Sequence, residues 1–309
     1  MARVEQERGR VRGWPVAFRG SEAVAAGLVR WSTLRGPRFR RLHPDVYALV
    51  CDEPDELLRE RAASALVGEQ GVLCGFSAAN VQGADCAPRG APQEVSACGA
   101  RIRSRPGLVV RREALLPEEI TLARGMRVTT AVRTGYDLVR RAPDPVEAVV
   151  ALDALANVGT FAPERVFDVA DRHPGARGTS ALADAVRRAD ARSGSPMETR
   201  MRLLLIGAGL PAPELQFPVQ DPVAGTVVWL DLAYPDLRIG IEYEGPDHLR
   251  PERVRRDIRR GTDLVDRDWR IYRFVGHDVL RTPDRTVAMI RRGIEQRRSG
   301  PLAGTCGRE

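Results

Sequence analysis

The chain has 309 residues, 43% of them hydrophobic and 29% charged, the balance of a globular protein, which excludes a disordered one. Its 48 basic residues outnumber 41 acidic ones, giving a net charge of +7 and a pI of about 9.7, so a polyanionic partner is favoured. Every cation is arginine, which suits bidentate phosphate contacts, although a GC-rich genome produces the same bias with no binding role. No apolar run approaches the ~20 residues of a membrane span, and the charged N-terminus has no apolar core behind it. The five cysteines are scattered, odd in number and without a C-x-x-C pair, so reduced thiols in a cytoplasmic protein are expected.

In chain order, residues 1–14 read as a frayed polar start. A small basic unit follows over 20–50. Ser21 fits the cap of a helix over 22–29, and Trp31-Ser32-Thr33-Leu34 opens a second helix that Gly36-Pro37 stops. Val46-Tyr47-Ala48-Leu49-Val50 reads as a strand. Two helices and then a strand are the order of a winged-helix module over residues 1–50, with Arg30, Arg35, Arg38, Arg40 and Arg41 facing DNA phosphates. A solvated basic face explains the same arginines equally well.

Residues 51–190 are a mixed α+β region. Helices are expected over 56–67, 77–81, 144–156 (opened by Asp144-Pro145) and 181–194, and short strands over 94–97 and 108–111. No catalytic constellation stands out there.

From residue 191 to 298 the pattern sharpens. Ser195-Pro196-Met197-Glu198 has the form of a capping box, with a helix running to about Gly207. Strands over 227–234 and 237–244, joined at Pro235-Asp236, predict a hairpin. A basic helix over 251–266, a strand over 270–275, a helix over 285–296 and a loose tail over 299–309 complete the order.

The hairpin carries the chemistry. Side chains alternate along a strand, so Glu242 and Glu244 share one face while Ile241 and Tyr243 take the other. Two carboxylates about 6–7 Å apart repel unless a cation or water intervenes. Asp231 is a lone acid inside the apolar run Trp229-Leu230-Asp231-Leu232-Ala233-Tyr234, where burial is costly without a partner or a metal. These acids point to a divalent-metal site. His43, His173 and His277 lack ligand-like spacing.

That order of elements, with Asp231 on one strand and Glu242 on the next, resembles the PD-(D/E)XK nuclease core. Ser195-Pro196-Met197-Glu198, Gly209-Leu210-Pro211, Leu230-Asp231-Leu232-Ala233-Tyr234-Pro235, Ile241-Glu242-Tyr243-Glu244-Gly245, His248, Arg256-Asp257-Ile258-Arg259-Arg260 and Trp269-Arg270-Ile271-Tyr272-Arg273 are similar to actinobacterial endonuclease-domain proteins related to very-short-patch-repair endonucleases. The resemblance implies a restriction-endonuclease-like α/β core that hydrolyses DNA with Mg²⁺ or Mn²⁺. It implies Asp231, Glu242 and the Tyr243 carbonyl as metal ligands, with Glu244 as a third ligand or a water-orienting group. Glu198 would reach the site through water, and His248 would donate a proton or contact phosphate. Arg255, Arg256, Arg259 and Arg260 lie close together on the expected basic helix and would hold phosphates, although a plain solvated face suits them equally. The superfamily lysine falls at Glu244, and a histidine common in relatives is Asp247 here, so the proton-transfer partner differs. A capping role also suits Glu198, a solvated strand end suits Glu244, and an ordinary loop position suits His248.

Upstream, Arg133-Thr134-Gly135-Tyr136-Asp137-Leu138 and the wing Asp45-Val46-Tyr47 resemble AbiEi-type antitoxin regions, placed here as an N-terminal AbiEi-like part and a middle region over 51–190. This implies a DNA-binding N-terminus and a toxin or operon partner. The alternative to a nuclease is therefore an antitoxin-like DNA-binding regulator whose nuclease core is vestigial.

Overall fold

A computed structural model describes residues 14–50, 55–97, 102–221, 226–245 and 267–299. The chain is a mixed α/β protein with three sheets among the described residues. The first contains β1 (Phe18–Arg19), β2 (Phe39–His43) and β3 (Val46–Leu49) in the order β1-β3-β2, with helices α1 (Gly20–Ala25) and α2 (Trp31–Leu34) inserted after β1. Ser21 does not cap a helix starting at 22. The helix already begins at Gly20, and Ser21 donates from its backbone N (2.8 Å) and its hydroxyl to the carboxylate of Asp45. Asp45 sits at the hairpin turn with φ of 62°, so this contact ties α1 to the β2–β3 connection. Gly20 is required there, because a Cβ would stand 2.7 Å from the Tyr47 ring.

Alternation divides the hairpin between two cores. Phe39 and Tyr47 join Trp14 and Phe18 in a small aromatic cluster. Val46 and Leu42 instead pack with α3 (Leu58–Val67) and the central sheet. Residues 14–50 are therefore continuous in packing with the middle of the chain.

The central sheet, in the order β6-β5-β4-β8-β7, comprises β4 (Val72–Leu73), β5 (Gln93–Ser96), β6 (Leu108–Arg111), β7 (Ile120–Ala123) and β8 (Met126–Thr129), with α4 (Gly75–Gln82) between the first two. Helices α5 (Ala131–Val139), α6 (Pro145–Gly159), α7 (Val166–Arg172) and α8 (Ala181–Arg188) come next. The Asp144 carboxylate caps α6 at the N–H groups of Val146 and Glu147, as its sequence predicts. The helix expected over 181–194 stops at Arg188.

The Arg133-Thr134-Gly135-Tyr136-Asp137 run is a buried lock. Arg133, 1% exposed, donates from Nε to Asp137 one turn later (3.0 Å) and pairs with Glu119 ahead of β7. Glu119 also holds His173 at the end of α7 (2.7 Å), and Asp137 holds Arg140 (2.9 Å). Burial works to raise the Glu119 carboxyl, but His173, the Leu116 N–H and Arg133 together hold it below its ordinary value.

The C-terminal sheet has the order β12-β11-β10-β9. It comes after α9 (Pro196–Gly207) and consists of β9 (Glu214–Asp221), β10 (Thr226–Tyr234), β11 (Ile239–Tyr243) and β12 (Arg270–Phe274), closed by α10 (Gly276–Leu280) and α11 (Pro283–Ser299). Strands β9, β10 and β11 run antiparallel, and β12 joins parallel to β11. Strand β9 and helix α10 have no counterpart among the elements expected from the sequence. Gly240 admits the neighbouring strands, since a Cβ would lie 2.7 Å from Ile271 and 2.9 Å from Leu230. The expected basic helix over 251–266 and the tail from 300 lie outside the described residues. No single described helix is long and apolar enough to cross a membrane.

Helix α9 joins the central and C-terminal parts. Met201 and Leu205 enter the C-terminal core, while Leu203 enters the core of α5 to α8. On α6, Asp153 is fully buried and accepts from Arg202 (2.8 Å), Thr199 (2.9 Å) and the Asp190 N–H (2.7 Å). Burial pushes its carboxyl up to about 6, against the pull of Arg202 and the two neutral donors. Beside it, Glu147 takes two bonds from Arg200, at 2.9 and 2.7 Å. Arg202→Ala would leave Asp153 buried without its cation, and a loss of about 3–5 kcal/mol in urea unfolding is expected. The loss should be smaller in mild acid than above neutrality, because protonation removes the unpaired charge.

Candidate functional site

The acids read from the hairpin lie on adjacent strands of the C-terminal sheet. Continuing the Leu232↔Ile241 pairing by one residue places Asp231 opposite Glu242, and Glu242 is itself paired in register with Arg273 on β12. On the other side, the pairs Leu230↔Phe217 and Leu232↔Leu215 bracket Asp231 and Gln216, where Gln216 has φ of 48°. Gln216, Asp231, Glu242 and Arg273 thus form one row across the four strands.

Each member is held. The Tyr243 backbone N–H donates to Asp231 (2.8 Å). Glu242, 8% exposed, accepts from Arg273 Nε at 3.1 Å. The same nitrogen lies 3.4 Å from the Glu244 carboxylate, so Glu242 and Glu244 share a face and a guanidinium stands against both. Ile241, between neighbours of opposite direction, is in the core.

Glu198 sits beside the Gln216 end. Its N–H bonds to the Ser195 hydroxyl (3.2 Å), the first half of the expected capping box. The reciprocal half is shifted: the Glu198 carboxylate accepts from the Gly194 N–H (2.8 Å), not from that of Ser195, and from Gln216 Nε2 (2.9 Å). It is 8% exposed. Its local role is to tie the start of α9 to β9.

The oxygen donors of Asp231, Glu242 and the Tyr243 carbonyl are of the hard type that suits Mg²⁺ or Mn²⁺. However, no group of three or more His, Cys, Asp or Glu side chains among the described residues is placed to hold an ion. Arg273 supplies the positive charge beside Glu242 and Glu244 instead. His248 and Arg256, Arg259 and Arg260 lie outside the described residues. Arg273 and Gln216 were missed by sequence reasoning. Arg273 was visible in the alternation Arg270-Ile271-Tyr272-Arg273, whereas Gln216 lies on a strand that the pattern did not reveal.

At the other end of the chain, Arg30, Arg35, Arg38, Arg40 and Arg41 are all exposed. Arg40 and Arg41 do not share one face. Arg35 and Arg41 line an open hollow with Trp31, Leu34, Phe39, Asp45 and Tyr47. Arg40 alternates with Arg41 and falls on the side of the hairpin where Leu42 meets the α3 core. His43 contacts Arg105 at 3.0 Å, and burial and that arginine lower its pKa.

Residues 71–187 match the AbiEi antitoxin C-terminal domain. Over 255 residues the chain is 32% identical to uncharacterized protein Rv2248 of Mycobacterium tuberculosis (strain ATCC 25618 / H37Rv), covering 82% of this chain and 91% of the relative. The identity and coverage are the same for uncharacterized protein MT2308 of strain CDC 1551 / Oshkosh. The chain belongs to the family of these mycobacterial proteins. No solved structure matches it significantly. The antitoxin match corrects the expected N-terminal placement. It lies mid-chain, spanning the central sheet and the Arg133 lock, and the Asp45-Val46-Tyr47 wing precedes it.

Glu198→Ala would remove the acceptor for Gly194 and Gln216. A loss of about 1 kcal/mol, within the range of helix caps, is expected in urea unfolding followed by far-UV circular dichroism.

Proposed function

We propose that this protein is an antitoxin-like, DNA-binding regulator acting in the cytoplasm, with DNA as its ligand and a toxin or other operon product as its protein partner. The observation that carries the reading is the coupling of an antitoxin-domain match over 71–187 to a preceding three-stranded unit of order β1-β3-β2. Two helices and a hairpin in that order have the connectivity of a winged-helix module, and the exposed arginines Arg30, Arg35, Arg38 and Arg41 lie on and around α2 and β2. The net charge of +7 favours the encounter. Replacing Arg35, Arg38 and Arg41 together by alanine should weaken duplex binding. It should also flatten the salt dependence by about 0.9 in log–log slope for each phosphate no longer neutralised. Fluorescence anisotropy across a salt series measures both quantities. Affinity unchanged by the triple substitution would count against this reading.

A second reading rests on the acid row. Three antiparallel strands joined by a parallel fourth, with Asp231 opposite Glu242, support a PD-(D/E)XK-like phosphodiester hydrolase. Asp231, Glu242 and the Tyr243 carbonyl would hold Mg²⁺ or Mn²⁺, which would acidify bound water and stabilise charge on the scissile phosphate. Arg273 would have to yield Glu242 or turn toward the phosphate. Duplex cleavage should then need Mn²⁺ or Mg²⁺ and be lost in both Asp231→Ala and Glu242→Ala with folding retained. Cleavage undiminished in excess EDTA would remove this reading.

A further inference from the structure

The hollow between α2 and the β2–β3 hairpin has a volume of about 500 Å³, within the ~300–1,000 Å³ of small-ligand sites. Its chemistry is unusual for a solvated face. Trp31 is 44% exposed at its rim, and Phe39 and Tyr47 line it. Packing of Phe39 against Phe18 (5.9 Å between ring centroids) and of Phe18 against Tyr47 (6.5 Å) makes that lining rigid. Arg35 and Arg41 bring two cations, and among the described residues neither is in an ion pair. The one acid, Asp45, is already engaged by the backbone N–H and hydroxyl of Ser21. The available surface is therefore an indole and aromatic rings beside two guanidinium groups, complementary to a flat ring carrying a negative charge.

Helix α2 also limits what this end can read. It has four residues and rises only about 6 Å, little more than one turn, which is short for a helix laid along a major groove.

We propose that this hollow is a pocket for one unstacked nucleotide, its base against Trp31 and its phosphate on Arg35 and Arg41, so that this end prefers single-stranded nucleic acid. The inference rests on the nucleic-acid-binding reading above and narrows its ligand.

The test uses the full chain and a fluorescein-labelled deoxythymidine decamer, with a duplex of equal length beside it. Wild type should bind the single strand more tightly. Trp31→Ala should weaken single-strand binding by about 5- to 150-fold, the range for losing one stacked base, and Trp31→Phe should restore most of it. Replacing Arg35 and Arg41 together by alanine should reduce the single-strand salt slope by about 0.7, for the one phosphate they hold. Arg187→Ala, on the exposed side of α8, should leave both ligands unaffected. Single-strand binding indifferent to Trp31→Ala, or a wild-type preference for duplex, would overturn the pocket. If duplex binding nonetheless depends on the arginines, the regulator reading stands without it. If neither nucleic acid binds, both fall.

Discussion

A carboxylate inside a protein has to be matched by donors, and Asp153 is matched by groups from two other segments of the chain. Arg202 and Thr199 come from α9, and the Asp190 N–H comes from the stretch after α8. An unmatched carboxylate in that position would be costly, so α6, the segment after α8 and α9 are held in one relative placement. Helix α9 then carries this placement into the C-terminal sheet through Met201 and Leu205. One turn before Arg202, Glu198 ties the helix start to Gln216 at the edge of the acid row. The geometry of that row is thus linked through α9 to a residue of the central domain.

The same economy appears in the Arg133 lock. Arginine is the only cation in this chain, and several of its arginines are structural. Arg133 and Arg202 are buried, and Arg111 covers the buried Glu94 at 2.6 Å. A planar guanidinium with five donors can satisfy two carboxylates at once, which a lysine ammonium does with less geometric definition. In the region matching the antitoxin domain, this joins the segment before β7, α5 and the end of α7 around one side chain. The positive net charge therefore overstates the cationic surface offered to a polyanion. The useful quantity is the set of exposed arginines without acidic partners, which among the described residues gather around α2 and β2 and again along α10 and α11.

Arg273 gives the acid row its electrostatic character. Two carboxylates on one strand face repel, and a guanidinium 3.1 Å from one and 3.4 Å from the other relieves that repulsion. A divalent ion would compete for the same oxygens, and a phosphate would compete for the same guanidinium. In the structure the row is held as an ion pair of Arg273 with Glu242 and Glu244.

Local patterns were legible wherever one short segment set the outcome. The cap at Asp144, helix α2 with its stop at Gly36-Pro37, the β10–β11 hairpin and the shared face of Glu242 and Glu244 all arise from spacing along a few residues. Strand β9 was not legible, because Pro218 and the left-handed Gln216 break its alternation and only pairing with β10 makes it a strand. Ser21 has the chemistry of a cap, but Asp45, distant in sequence, offered it a stronger acceptor. The sequence by itself determined an α/β chain with an acid-bearing hairpin and a basic N-terminal unit, because periodicity and charge are local properties. Only the tertiary structure decided that Arg273 stands against those acids, that Arg41 parts from Arg40, and that Asp153 anchors α9. Each of these depends on which distant segments are packed together, and that is set by the burial of whole faces at once.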